Sequence, residues 1–116
     1  MRQSKWGVCW VALALCLLCA CSSSPATSPQ HSVTLVAKST QTEFWLSVFA
    51  GAEAAATEYN LSLNILGPET EEDYESQNQM VADAVEAGAE ALVFSAIDYE
   101  NNAQAIDEAA RAGGKI

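Results

Sequence analysis

Residues 33–66, VTLVAKSTQTEFWLSVFAGAEAAATEYNLSLNIL, decide the architecture. Val33–Lys38 (VTLVAK) is β-branched and aliphatic and reads as a buried strand. Phe44, Trp45, Val48, Phe49, Ala52, Ala55, Ala56 and Tyr59 then recur at helical spacing, which predicts a helix from about Thr42 to Tyr59. Leu61–Leu66 (LSLNIL) reads as a second strand, closed by the Gly67-Pro68 turn. A strand, a helix and a strand in this order form the crossover unit of a parallel sheet.

The pattern repeats downstream. Glu71, Glu72, Asp73 and Glu75 suit the first turn of a helix, where the backbone dipole favours negative charge. That helix is expected to run to about Ala87, with Gly88 at its C′ position. Ala91–Ser95 (ALVFS) reads as a third short buried strand. Asn101–Ala112 reads as a third helix, stopped by Gly113-Gly114. The order βαβαβα with apolar strands predicts an α/β fold, a doubly wound parallel sheet covered on both faces. Lys115-Ile116 stands where a fourth strand is expected to begin. Three strands bury a thin core, so residues 33–116 are expected to be part of a larger lobe; the alternative is a complete three-stranded minimal domain. No internal repeat is present.

The N-terminal twenty residues have a different character. Arg2 and Lys5 precede an unbroken apolar run over residues 8–20, VCWVALALCLLCA. A basic start with a short apolar core is the pattern of an export signal. A spanning helix needs about 20 apolar residues, so a retained anchor is the weaker alternative. Ser22–Ser32 (SSSPATSPQHS) has no apolar period and suits a flexible tether, so the expected boundaries are 1–20 leader, 21–32 tether and 33–116 domain. His31 falls in that tether and receives no role.

Charge narrows the partners. The chain holds 15 acids and 5 bases, a net charge of −10. Without residues 1–20, only Lys38, Arg111 and Lys115 face those acids, a balance of about −12. Such a surface argues against nucleic acid as a partner and against an electrostatic grip on anionic lipid.

Four cysteines, Cys9, Cys16, Cys19 and Cys21, all lie in the first 21 residues. Cys16-x-x-Cys19 matches a dithiol motif formally, but it sits inside the apolar run rather than at a helix start beside a βαβ core. The domain beyond Cys21 can form no internal disulfide. Leu18-Cys19-Ala20-Cys21 resembles the lipobox of bacterial lipoproteins, with Cys19 where a small or β-branched residue is commoner. The resemblance implies lipidation of Cys21 and a membrane-anchored, exported protein. The alternative is ordinary cleavage near Ala20 with Cys21 free.

Beyond the tether, Lys38-Ser39-Thr40-Gln41-Thr42-Glu43-Phe44-Trp45 followed by Gly51-Ala52-Glu53 is similar to the first strand, loop and helix of periplasmic sugar-binding proteins of the ribose-binding type. The likeness continues through Gly67-Pro68 and Gln77, which lies eleven residues before Gly88. It reaches Glu90–Asp98 (EALVFSAID) and ends in Ala109–Ile116 (AARAGGKI). It implies two α/β lobes closing on a sugar or similar small polar ligand, with only the N-terminal part of the first lobe present. Its implied partners are such a ligand and an ABC permease or membrane receptor; no cofactor and no metal is implied.

In a doubly wound sheet, ligands sit beyond the carboxyl ends of strands where the strand order reverses. With a 2-1-3 order, that point lies between the ends of strands one and three. The residues that match the family's ligand-contacting stretches fall there. Phe44 and Trp45 correspond to its aromatic pair, since a flat ring stacks on the C–H face of a sugar; the alternative is that both are core residues. Thr42 falls where an amide contacts ligand in the family, or it caps the helix. Lys38 replaces a small polar residue at the end of strand one, and either meets ligand or is a solvated strand end. Ser95 stands where Asn is frequent. Asp98 is expected to cap the third helix, and the run Glu69–Glu75 to be a solvated helix start.

Other classes fare less well on sequence. An enzyme on a flavodoxin-like sheet would need a nucleophile and base or a phosphate loop, and Ser39–Glu43 contains no glycine. There is no Gly-x-Ser-x-Gly and no His/Cys metal set. Repressors that share the fold carry a DNA-binding head instead of a leader. A ligand sensor feeding a membrane receptor uses the same lobes as an importer subunit and is not separable by sequence.

Overall fold

The structure is a computed structural model that describes residues 27–29 and 31–116. The expected leader (1–20), Cys21 with its lipobox, and most of the expected tether lie outside the described residues. Six elements follow in order: β1 (His31–Val36), α1 (Glu43–Glu58), β2 (Leu61–Leu66), α2 (Tyr74–Glu86), β3 (Ala91–Phe94) and α3 (Tyr99–Arg111). The strands form one parallel sheet in the order β2-β1-β3. Val33 pairs with Leu63 on one side and with Ala91 on the other, so β1 is central. Lys115 bridges to Ala91 in parallel, at the place where the sequence predicts a fourth strand.

Side-chain alternation along the strands separates two apolar layers. Leu35 and Ala37 face one side with Leu63 and Ile65, and α1 covers them with Trp45, Val48, Phe49 and Ala52. Val36, Leu66, Leu92 and Phe94 face the other side and pack beneath α2 and α3 through Val81, Ala84, Ala105 and Ala109. Val36 and Val81 are essentially sealed from solvent; burying one such side chain is worth roughly 2 kcal/mol. The α1 layer stops short of β3, where Val93 stays 54% exposed.

Element ends follow from local chemistry. Thr42 caps α1, its hydroxyl accepting from the Trp45 N–H at 3.4 Å. Asp73 caps α2 and Asp98 caps α3. The second helix therefore starts later than the acid run predicts. Glu71 and Glu72 lie in the preceding turn, because the Asp73 carboxylate takes the Ser76 N–H and fixes the first turn there. α3 starts two residues earlier than expected, set by Asp98. Gly88 adopts φ +84°, a left-handed conformation that ends α2 as expected.

The first strand begins at His31, so His31 and Ser32 belong to the sheet rather than to the tether. The cause is Glu90, whose carboxylate accepts the Ser32 N–H at 2.9 Å and meets His31 Nδ1 at 3.0 Å. Thr27, Ser28 and Pro29 are exposed and irregular, with the Ser28 carbonyl accepting from Asn60 Nδ2. Among the described residues no helix is long and apolar enough to cross a membrane.

Candidate functional site

The carboxyl ends of β1 and β3 lie side by side, and the strand order reverses between them. The last ladder bond joins the Ser95 N–H to the Val36 carbonyl at 3.0 Å. Beyond it the chain leaves β1 through Ala37–Thr42, a loop braced against the turn after β2. The Ala37 N–H donates to the Leu66 carbonyl, the Thr40 N–H to the Pro68 carbonyl, and the Ser39 hydroxyl to the Glu69 carbonyl. Gly67 makes that approach possible, since a Cβ there would stand 3.1 Å from Thr40 Cγ2 and 3.3 Å from the Ala37 carbonyl oxygen.

Lys38 leaves this loop half-buried, at the end of β1. Among the described residues no carboxylate lies within salt-bridge distance of it. Thr42 is exposed, and its hydroxyl serves as the α1 cap. Phe44 and Trp45, adjacent in sequence, part company in space. Phe44 is 67% exposed at the first turn of α1, whereas Trp45 is 7% exposed and stacks on Phe49 with ring centroids 6.4 Å apart. The two rings still touch edge to face at 5.1 Å. The Trp45 indole N–H donates to Glu71 Oε1 at 2.7 Å.

Ser95 and Trp45 share a small apolar pocket of about 100 Å³ between β1, β3 and α1, with Leu35, Val48, Val93 and Phe94 in its wall. Lys38, Thr42 and Phe44 do not line it. Of the predicted residues the structure thus brings Trp45 and Ser95 to one apolar recess, while Lys38, Thr42 and Phe44 lie outside it, in the loop after β1, at the α1 cap and in the first turn of α1. A larger pocket of about 540 Å³ lies between α2 and α3, and none of its lining residues comes from the strand-end loops. The strand edge is the better candidate, because polar and aromatic groups from separate elements converge there.

Asp98 does what its position predicts: it accepts the Asn101 and Glu100 backbone N–H groups, each at 2.9 Å. Those bonds, the Asn101 bond foremost, hold its carboxyl below the ordinary Asp value. Asp73 is held low in the same sense by the Ser76 hydroxyl and then by the Ser76 N–H. The acid run is not purely solvated, since Glu71 is engaged with Trp45.

Two residues of this edge were not anticipated as such. Glu71 was hidden in the acid run, and nothing in local spacing marks its contact with Trp45, 26 residues away. Gln77 is fully buried and spans the gap between the strand ends. Its Nε2 donates to the Ala37 carbonyl at 2.9 Å and to the Ser95 carbonyl at 2.8 Å, while its Oε1 accepts the Ile97 N–H at 3.0 Å. The available signals were its spacing, which puts this amide on one stripe with Val81 and Ala84, and its place in the family likeness. Among the described residues, no group of three or more His, Cys, Asp or Glu side chains could hold a metal ion.

A sequence profile described as a periplasmic binding protein domain matches residues 33–116. No sequence among curated proteins matches significantly. Three solved structures are similar. One is a carbohydrate transporter solute binding protein from Agrobacterium radiobacter in complex with D-arabinose, at 26% identity and TM-score 0.71, covering 74% of this chain and 29% of that one. Another is a sugar transporter from Clostridium phytofermentans, at 29% identity and TM-score 0.67, covering 73% and 35%. The third is a sugar ABC transporter from Actinomyces odontolyticus, at 28% identity and TM-score 0.69, covering 77% and 30%. The chain therefore spans about a third or less of the length of the structures it matches.

Proposed function

The chain belongs to the periplasmic binding protein domain family, and from that premise we propose that it is part of an extracytoplasmic protein that captures a sugar-like small polar ligand for ABC-type import. The observation that carries this reading is the juxtaposition at the reversal point of the sheet. Lys38 follows β1, Ser95 follows β3 and Phe44 is exposed in the first turn of α1, so the segments that leave this point carry a cation, a hydroxyl and an open ring. A sugar offers C–H faces to a ring and hydroxyls to hydrogen-bonding groups, so this set has the complementary chemistry. The similar structures named for carbohydrate or sugar transport support the ligand class.

In this reading Phe44 stacks on the ligand, while Trp45 backs it from within the α1 layer. Lys38 and Ser95 address ligand hydroxyls, and Thr42 contributes by holding the first turn of α1 in place. The family is one of non-enzymatic solute-binding proteins, and the chain is read as a binder rather than an enzyme. Residues 1–20 then direct export, and a lipid on Cys21 holds the domain at the extracytoplasmic face through residues 22–30.

Titration calorimetry of the full-length protein against a panel of monosaccharides tests this. Binding of at least one sugar, weakened by Phe44→Ala with the fold intact, is the expected result. Absence of binding to every sugar in the panel overturns it.

A further inference from the structure

Beyond Val36 and Phe94, the last pair in their register, β1 and β3 stop bonding to one another. The Ser95 N–H still reaches the Val36 carbonyl, but the next acceptors, Ala37 O and Ser95 O, take no backbone N–H, which leaves a gap in the ladder. A buried carbonyl without a partner is costly, so something must fill that gap. Gln77 does so from α2: one NH2 group satisfies both carbonyls, and the oxygen of the same amide fixes the Ile97 N–H. The side chain is wholly excluded from water, and all three of its bonds go to backbone of the two loops that form the candidate edge.

We propose that Gln77 is the positioning residue of the ligand edge: its amide sets the distance between the ends of β1 and β3, and so the spacing between Lys38 and Ser95. This rests on the sugar-binding reading for its consequence, though not for its geometry. A primary amide is the fitting group, because it carries two donor hydrogens on one atom and an acceptor on the next. Methionine matches its length but supplies neither. Glutamate matches its shape and is a switchable substitute. When protonated it donates to one carbonyl and accepts from Ile97; when ionised it has no donor, and repulsion from the two carbonyl oxygens drives the carboxylate out of the gap, taking the Ile97 acceptor with it. Burial and those oxygens raise its pKa.

The ionisable groups on α2 with its cap and on the two loops that Gln77 bonds are Lys38, Asp73, Tyr74, Glu75, Asp83, Glu86 and Asp98. The wild type carries the same seven, so a pH response confined to Gln77→Glu belongs to position 77. The full-length protein is compared with Gln77→Met and Gln77→Glu, reading monosaccharide affinity and the exchange of the Ile97 amide corrected for intrinsic rate. Loss of the bonds to both carbonyls is expected to weaken the best-bound monosaccharide about tenfold or more. In Gln77→Glu that loss is present at about pH 8 and largely restored at about pH 5, whereas wild-type affinity is flat within about twofold. Exchange at Ile97 is slow in the wild type, fast in Gln77→Glu at the higher pH and slow again at the lower.

Wild-type affinity in a folded Gln77→Met or in Gln77→Glu at the higher pH overturns the proposal. So does an Ile97 amide that exchanges alike in wild type and Gln77→Glu at both pH values. If the wild type binds no monosaccharide, the sugar reading fails, and the Ile97 exchange profile by itself decides for or against the clamp. If Gln77→Met does not fold, the pH pair on Gln77→Glu gives the decision.

Discussion

Trp45 and Glu71 are joined by a hydrogen bond of 2.7 Å, from an indole in the first turn of α1 to a carboxylate in the turn before α2. The bond fixes one tryptophan edge against a segment that also braces the loop after β1, through Ser39 and Glu69. The loop after β1 and the turn after β2 are thereby locked to one another. Because its N–H is already committed, Trp45 holds position there while Phe44 remains free.

Glu71→Ala leaves the indole N–H without its acceptor. A hydrogen bond to a charged group that is partly open to water is expected to contribute about 1 kcal/mol here. The variant should unfold at a slightly lower urea concentration, and Trp45 emission should shift to the red. Trp45 is the single tryptophan beyond residue 20, so in protein lacking the leader the signal is its own. An unchanged spectrum and midpoint would show the bond to be inconsequential.

The split between neighbouring aromatics gives opposite phenotypes. Trp45→Ala empties part of the α1 layer and is expected to cost about 3–5 kcal/mol of stability. Phe44→Ala removes an exposed ring, so stability should change by less than about 0.5 kcal/mol. Its sugar affinity should nevertheless fall about tenfold, the effect of losing one stacked face. Denaturant unfolding beside calorimetry separates the two effects.

Acid sensitivity should come in part from the helix caps. Asp73 and Asp98 are both held below the ordinary Asp value of 3.8, so their folded forms bind protons less readily than the unfolded chain. That difference stabilises the fold fully above the unfolded value and is lost as pH falls through the lowered folded values. The denaturant midpoint should therefore drop below about pH 4. Asp98→Asn keeps a capping oxygen without a titrating proton and should flatten that acid limb; a limb of unchanged steepness would remove Asp98 from the account.

Cys21→Ser tests the proposed anchor. The wild type should partition into the detergent phase and fractionate with membranes, and the variant should be lost from both. Equal partitioning of the two would leave Cys21 without a lipid.

Much of the fold was legible because each strand and helix announces itself locally. The alternation in Leu61–Leu66 and the helical spacing from Phe44 to Tyr59 match β2 and α1 closely. What periodicity could not reveal depends on distant side chains. His31 joins β1 because Glu90, 59 residues on, meets it, and Glu71 stands outside α2 because Asp73 outcompetes it for the first turn. At the candidate edge, the family resemblance singled out Lys38, Ser95 and the aromatic pair, yet could not tell which ring faces out. That distinction is set by the turn of α1 over the sheet, and the Gln77 bridge by a gap that exists only once β1 and β3 lie together.

The central position of β1 has a consequence for how the chain reaches its fold. Val33 must find Leu63 and then Ala91, and no two strands are neighbours along the chain. Pairings this far apart carry a loop-closure cost before any contact rewards them, so sheet assembly waits for late segments and is slow. During synthesis, the sheet cannot close until β3 has emerged, while residues 1–20 emerge first. On the export reading, a translocation machine meets the leader before the sheet has closed, and the topology itself keeps the passenger ready to be moved.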